Sequence, residues 1–149
     1  MGRYACAHQT AAGSDLGLLN LAAGATVRCT LYELVLGSDA TPADQAGEFV
    51  INRTTAAGTG GTALTETPLD PLTVAATVAG TGGTFTVQPT DTASTELLMI
   101  ALNQRATFRW IAAPGGELYS TATAANGLFL RSVGHTATPN VNLTAHWLE

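Results

Sequence analysis

The chain contains no lysine, and charged residues make up only 11% of its 149 positions. Its six cations are all arginines, which are spread singly along the chain and leave a formal net charge of −5. Because a nucleic-acid partner requires clustered cations against its phosphates, this composition argues against nucleic-acid binding. No stretch approaches the roughly 20 uninterrupted apolar residues that a membrane helix requires, so we expect no membrane partner.

Residues that carry chemistry are also scarce. The three histidines, His8, His135 and His146, have no closely spaced ligand partners, so the sequence predicts neither a metal site nor another cofactor. The serine elbow motif of hydrolases is absent, and the eleven acidic residues are spread singly. We therefore expect that the protein is not an enzyme, and we assign no catalytic residue.

Only two cysteines are present, Cys6 and Cys29, and they fall in two different predicted strands. Neither has a second cysteine at metal-binding spacing, so we interpret both as buried thiols that pack as small apolar groups. The first residues show no apolar secretory run, which gives no support for an oxidising compartment. A disulfide between adjacent strands stays open as an alternative.

Alanine, threonine and glycine dominate what is present and together supply 66 of the 149 residues. Threonine is β-branched and suits the solvent-facing side of strands, while glycine-rich stretches separate short apolar runs. Two of these stretches, 58–61 and 80–83, resemble phosphate-binding loops, but no Lys-Ser or Lys-Thr pair follows either one. We interpret both as hairpin tips or arms.

Short apolar runs between turns predict an all-β protein. The predicted strands cover residues 3–8, 16–21, 26–36, 48–54, 74–78, 84–87, 96–102, 106–111, 117–120, 127–132 and 140–148. The run over 96–102 is almost entirely apolar and suits a central strand buried on both sides or a short helix, and its length favours the strand. The spacing of the strands favours a jelly-roll-like antiparallel β-sandwich, a single domain over residues 1–149. Within it we expect an N-terminal arm over residues 1–14 and an extended loop over 55–71.

The scarcity of charge carries an inference of its own. A monomeric domain of this size normally keeps a charged surface for solubility, whereas this chain has a mean hydropathy of +0.20. We therefore expect substantial surface to be covered by copies of the chain or by a partner. Arginine without lysine fits this expectation, because a guanidinium forms paired hydrogen bonds with carboxylates and backbone carbonyls.

Four segments carry a resemblance to a known class of proteins. They are residues 31–38 (Leu-Tyr-Glu-Leu-Val-Leu-Gly-Ser), 67–71 (Thr-Pro-Leu-Asp-Pro), 126–131 (Asn-Gly-Leu-Phe-Leu-Arg) and above all 103–118, which begins Asn-Gln-Arg-Ala-Thr-Phe-Arg-Trp. These segments resemble capsid decoration, or cement, proteins of tailed bacteriophages, which are compact β-sandwiches, often trimeric, on the outer head surface. The resemblance implies a virion structural protein that is assembled in the host cytoplasm, forms a homotrimer and bridges major capsid protein subunits. It implies no catalytic residues.

The resemblance and the scarcity of charge together lead us to expect particular interface residues. They are Phe108, Arg109, Trp110, Arg3, Tyr4, Pro68 and Pro71. An alternative is a carbohydrate- or receptor-binding β-sandwich module of a phage virion, with Trp110, Tyr119 and Trp147 as candidates for stacking on sugar rings. A third class, a hydrolase or a metal-dependent cupin-like enzyme, ranks behind both.

Overall fold

Buried and more exposed residues alternate along strands such as residues 140–148, so these strands turn one side toward a core. The computed structural model describes residues 1–39, 41–135 and 137–149, and of residues 93 and 94 the backbone alone. None of these residues belongs to a helix that is long and apolar enough to cross a bilayer. The strands are β1 (Arg3–Ala11), β2 (Leu16–Ala22), β3 (Thr30–Asp39), β4 (Ala46–Ala56), β5 (Thr62–Ala63), β6 (Thr67–Pro68), β7 (Ala79–Gly82), β8 (Thr90–Asn103), β9 (Thr107–Ile111), β10 (Leu118–Tyr119), β11 (Gly127–Val133) and β12 (Asn140–Leu148).

The strands form two antiparallel sheets that pack against each other. Sheet A has the order β10-β3-β12-β1-β6, with β9 beside β10 on the same edge of β3, and sheet B has the order β5-β7-β2-β11-β4-β8. The chain alternates between the sheets through β1, β2, β3 and β4, and again through β8, β9, β11 and β12. Eight principal strands in two sheets with these crossovers form a jelly roll, so the predicted jelly-roll-like β-sandwich is confirmed.

One hydrophobic core fills the space between the sheets. Trp147 on β12 is fully buried, and its ring stacks on that of Tyr4 on β1 with the centroids 5.9 Å apart. Leu36 and Leu143 lie opposite each other on β3 and β12, and both are buried. The predicted N-terminal arm over residues 1–14 is wrong, because β1 pairs along its whole length with β12 inside sheet A.

Residues 57–89, between β4 and β8, close one side of the sandwich. β5 pairs with β7 at the edge of sheet B and β6 pairs with β1 in sheet A, so the segment passes from one sheet to the other. The stretch 55–71, predicted as an extended loop, therefore includes short paired strands. Residues 74–78 and 84–87, predicted as strands, are not strands, and the glycine-rich stretch between them forms β7, paired with β2.

Glycine is required in and just after β7 because the backbone passes very close to β1. A Cβ atom on Gly82 would overlap the ring of His8, and one on Gly83 would overlap Thr10. Glycine is normally unfavourable in a strand and favourable in a turn, so local composition predicted a hairpin tip here. Here the close approach of β1, which is distant in the sequence, explains the glycines, and the stretch forms a strand instead of a hairpin tip.

The longest strand, β8, lies at the edge of sheet B. The sequence predicted a central strand over 96–102, because nearly every side chain in that run is apolar. This prediction is wrong: β8 pairs with β4 on one side and with no other strand of the described chain on its second side. The sandwich thus has one side closed by residues 57–89 and another bounded by the edge strands β8 and β9.

Candidate interaction surface

Residues 69–77, here named the apolar strap, begin with a turn formed by an aspartate and a proline. The Asp70 carboxylate accepts a hydrogen bond from the backbone N–H of Leu72 at 3.0 Å, and the Asp70 carbonyl accepts one from the N–H of Thr73 at 2.9 Å. Pro71 occupies the second position of this turn, where its fixed backbone angle is favourable. The turn presents Leu72 to solvent, with 92% of its surface exposed.

Hydrogen bonds fasten the strap to β1. The N–H of Leu69 donates to the carbonyl of Arg3 at 2.8 Å, and the hydroxyl of Tyr4 donates to the carbonyl of Val74 at 3.0 Å. Burial raises the pKa of the Tyr4 phenol, and the nearby negative charge of Glu149 raises it further. The Tyr4 hydroxyl therefore stays protonated at neutral pH and remains a donor to the strap.

The end of the strap is fastened as well, so its apolar side chains are held outward by an ordered backbone. The Glu149 carboxylate accepts a hydrogen bond from the N–H of Thr77 at 2.8 Å. Val74 is 79% exposed, and it borders a shallow depression of about 400 Å³ that Met1 also lines. The strap patch, as we name it, consists of Met1, Leu69, Leu72 and Val74. Single exposed leucines are common on proteins, but a group of anchored ones favours contact with a partner.

The outer face of sheet A carries a network of charged side chains. Glu33 on β3 accepts a hydrogen bond from Nε of Arg109 on β9 at 2.6 Å, and its other carboxylate oxygen lies 3.0 Å from Nδ1 of His146 on β12. The hydrogen bond to His146, and then that to Arg109, lowers the pKa of Glu33, so its carboxylate is charged at neutral pH. The polar face, as we name it, consists of these three residues together with Tyr32 and Arg3.

Small side chains lie beside this network on the same face. In the register of sheet A, Ala7 on β1 lies beside Thr144 on β12, which lies beside Val35 on β3. At one end of the face, a depression of about 300 Å³ is lined by residues that include Tyr32 and Pro114. An open face with shallow depressions fits the surface of a protein better than it fits an enclosed small molecule.

The predicted interface residues fall into different environments. Arg3 and Arg109 are exposed on the polar face, and Pro71 is exposed in the strap. Phe108 and Trp110 are only half-buried but pack against the core, because they lie beside the buried leucines of β3.

Two predicted interface residues face the interior of the protein instead. Tyr4 is only 2% exposed because its ring stacks on Trp147, so the prediction that it contacts a neighbouring molecule is wrong. Its hydroxyl acts on the surface indirectly, by holding the carbonyl of Val74. Pro68 is half-buried and lies opposite Tyr4 on β6.

Sequence reasoning missed Leu72 and Val74 in the strap, and Glu33 with His146 on the polar face. A sequence does not distinguish an exposed leucine from a buried one. The apolar residues over 74–78 predicted a strand there. The available signal was the Asp70-Pro71 pair, which marks a turn immediately before Leu72. Glu33 and His146 are far apart in the chain, and only the pairing of β3 with β12 brings them together.

The residues considered for stacking on sugar rings or for binding a metal ion do not form a common site. Trp147 is fully buried and cannot stack on a sugar, and Tyr119 lies under the guanidinium of Arg28, 4.6 Å from its ring centroid. His8 lies beside the glycines of β7, and His135 is buried near the start of β4. Within the described residues, no three His, Cys, Asp or Glu side chains are grouped so that they could hold a metal ion.

Cys6 and Cys29 are both buried, and neither forms a disulfide. Burial raises the pKa of the Cys6 thiol to about 12. Burial, followed by the proximity of Cys6, raises the pKa of the Cys29 thiol well above its ordinary value. Because the thiolate is the reactive form, neither cysteine is a nucleophile at neutral pH.

The fold and these surfaces define the chain as a jelly-roll β-sandwich protein with an anchored apolar strap patch and a polar face on sheet A. Comparison with protein-family models, with curated proteins and with solved structures gives no match.

Proposed function

We propose that this protein is a virion structural protein, a capsid decoration or cement protein that bridges major capsid protein subunits on the outer head surface of a tailed bacteriophage. The observation that carries the proposal is the strap patch. Leu72 and Val74 are exposed by 92% and 79% on a backbone that hydrogen bonds hold in place. Such side chains add nothing to the stability of the isolated chain, and their burial needs a second surface.

The geometry suits binding with little loss of conformational entropy. Because Asp70, Tyr4 and Glu149 already fix the strap, a partner does not have to order it on contact. Burial of one leucine or valine side chain contributes about 1.5–3 kcal/mol. A capsid repeats the same contact many times, so a modest gain per copy adds up to a large stabilisation of the whole shell.

The polar face supplies a second set of contacts. The side chain of Arg109 is 61% exposed although it pairs with Glu33, so its guanidinium has donors that can reach a partner. The scarcity of charge over the whole chain and the resemblance of residues 103–118 to decoration proteins support the same proposal. It involves no chemical transformation and no direct contact with nucleic acid.

Binding to expanded heads tests the proposal. The heads used are assembled from the major capsid protein of the same phage, and co-sedimentation measures the bound fraction. We expect the wild-type protein to bind the heads but not free DNA. We expect Leu72→Asp to weaken binding by about tenfold or more, because a charge then replaces an apolar contact. Val87→Asp is the matched control, since Val87 is 59% exposed and lies outside the strap.

Two results would count against the proposal. One is a wild-type protein that does not bind heads at micromolar concentration. The other is a Leu72→Asp variant that binds as well as the Val87→Asp control. Circular dichroism spectra must show that the wild-type protein and both variants are folded. We expect this for the variants because both substituted residues are exposed.

A further inference from the structure

The two sides of the sandwich differ in how far their strand edges are paired with other strands. On one side, residues 57–89 add β5, β6 and β7 to the sheets. On the other side, β8 presents one whole edge that pairs with no strand of the described chain. An unpaired strand edge offers a row of backbone N–H and C=O groups to any other strand.

Residues 98–102 of β8 lack the usual features that prevent edge pairing, whereas the part of β8 before them has register shifts against β4 and carries Asp91 and Glu96. Natural edge strands are blocked by lysine, proline or inward-pointing charge. Residues 97–102 (Leu-Leu-Met-Ile-Ala-Leu) contain no charge and no proline. Met99 is 60% exposed and lies opposite Val50 of β4, whereas Ile100, the next residue, is buried. The edge is therefore apolar on both of its faces.

We propose that β8 is a self-association site, where it pairs antiparallel with β8 of a second copy about a two-fold axis at Met99. In this register Met99 lies opposite its own copy and Leu98 lies opposite Ile100 of the second molecule. Glu96 lies beyond the register shift next to Leu98, and residues 101–104, which could lie opposite it, contain no acid, so no like charges meet. An axis at Glu96 would instead place two carboxylates opposite each other, which is destabilising. The charge pattern excludes an axis at Glu96, and an axis at Met99 pairs the exposed apolar side chain of β8 with its own copy.

A contact of this kind uses the same surface on both copies, so it closes as a dimer. It joins the two copies of sheet B into one continuous sheet and removes both free edges. It differs from the trimer that the resemblance to decoration proteins implies, and it does not depend on capsid binding. β6 and the strap that follows it lie on the opposite side of the sandwich from β8, so the dimer leaves both strap patches free.

Sedimentation velocity at several micromolar concentrations tests the pairing. We expect the wild-type protein to be a dimer. Met99→Lys places two like charges at the axis and should weaken the dimer by about tenfold or more. Val87→Lys is the matched control, because Val87 is 59% exposed and outside β8, and it should leave the dimer unchanged. A wild-type monomer or trimer, or a dimer that Met99→Lys leaves intact, overturns the proposal.

A cross-link provides a second measurement that does not rely on weakening the dimer. Met99→Cys places two new thiols opposite each other at the axis, so oxidation should give a disulfide-linked dimer on a non-reducing gel. Val87→Cys should not. Cys6 and Cys29 do not interfere, because both are buried. If Met99→Cys forms no more linked dimer than Val87→Cys, the axis is not at Met99. Head binding by the wild-type protein is a separate readout, so failure of this proposal and failure of the proposed function can be distinguished.

Discussion

The same substitution at two leucines should have very different effects on stability. Leu36 is 1% exposed and lies between Leu143 on β12 and Phe108 on β9. Leu36→Ala removes buried carbons and leaves a cavity in a core that cannot fully collapse, so it should cost about 2–5 kcal/mol. Leu72→Ala removes a side chain that is 92% exposed, so it should cost no more than about 0.5 kcal/mol.

Urea unfolding followed by tryptophan fluorescence measures both changes, since Trp147 is fully buried and reports on the core. Leu36→Ala should lower the unfolding midpoint without changing the slope. Because one kcal/mol corresponds to about 2–4 °C in a domain of this size, the melting temperature should fall by roughly 4–20 °C. Leu72→Ala should unfold almost as the wild type does.

A large cost for Leu72→Ala would refute the reasoning. If it exceeds about 1 kcal/mol, Leu72 makes apolar contacts within the protein in solution. The strap patch would then not be a free surface, and the proposed function would lose the observation that carries it. A small cost for Leu36→Ala would likewise contradict the assigned core.

The remaining predictions concern buried titratable groups. Burial lowers the pKa of His135 below its ordinary 6.5. Below that pH the unfolded state therefore binds more protons than the folded state. The free energy of unfolding should fall as the pH drops from about 7 to 5. His135→Gln should reduce this fall in urea titrations at the two pH values, and an unchanged fall would contradict the assignment. Burial raises the pKa of Cys6 to about 12 and that of Cys29 well above its ordinary value. Neither thiol should therefore react with a disulfide reagent at pH 8 until the protein is unfolded. Rapid reaction of the native protein would contradict their burial.

The strands that could be predicted from the sequence are those in which buried and exposed residues alternate within the strand itself. β12 alternates buried residues such as Val141 and Leu143 with more exposed ones, and the sequence gives this alternation directly. The jelly-roll-like β-sandwich was predicted from the number and spacing of the strands, but their order within each sheet was not. In contrast, β7 could not be predicted, because Gly82 within it and Gly83 just after it are explained by contacts with His8 and Thr10 of a distant strand.

The surfaces were harder to predict than the fold, for a related reason. Burial of a leucine depends on what lies opposite it, and the sequence of β8 does not say that one of its edges has no neighbour. The arginines Arg3 and Arg109 were predicted at an interface because of their chemistry, and both are exposed. Leu72 and Val74 of the strap patch were missed, because a single sequence does not show whether an apolar residue is exposed or buried in a core.

The two ends of the chain meet, and this affects how the protein should be tagged. Gly2 and Glu149 exchange backbone hydrogen bonds of 2.9 and 3.2 Å, and Met1 belongs to the strap patch. A peptide fused before residue 1 or after residue 149 would therefore emerge beside Leu72 and Val74 and obstruct them. The exposed turn at Ser14 and Asp15 follows the far end of β1, so a purification tag inserted there would keep away from that area.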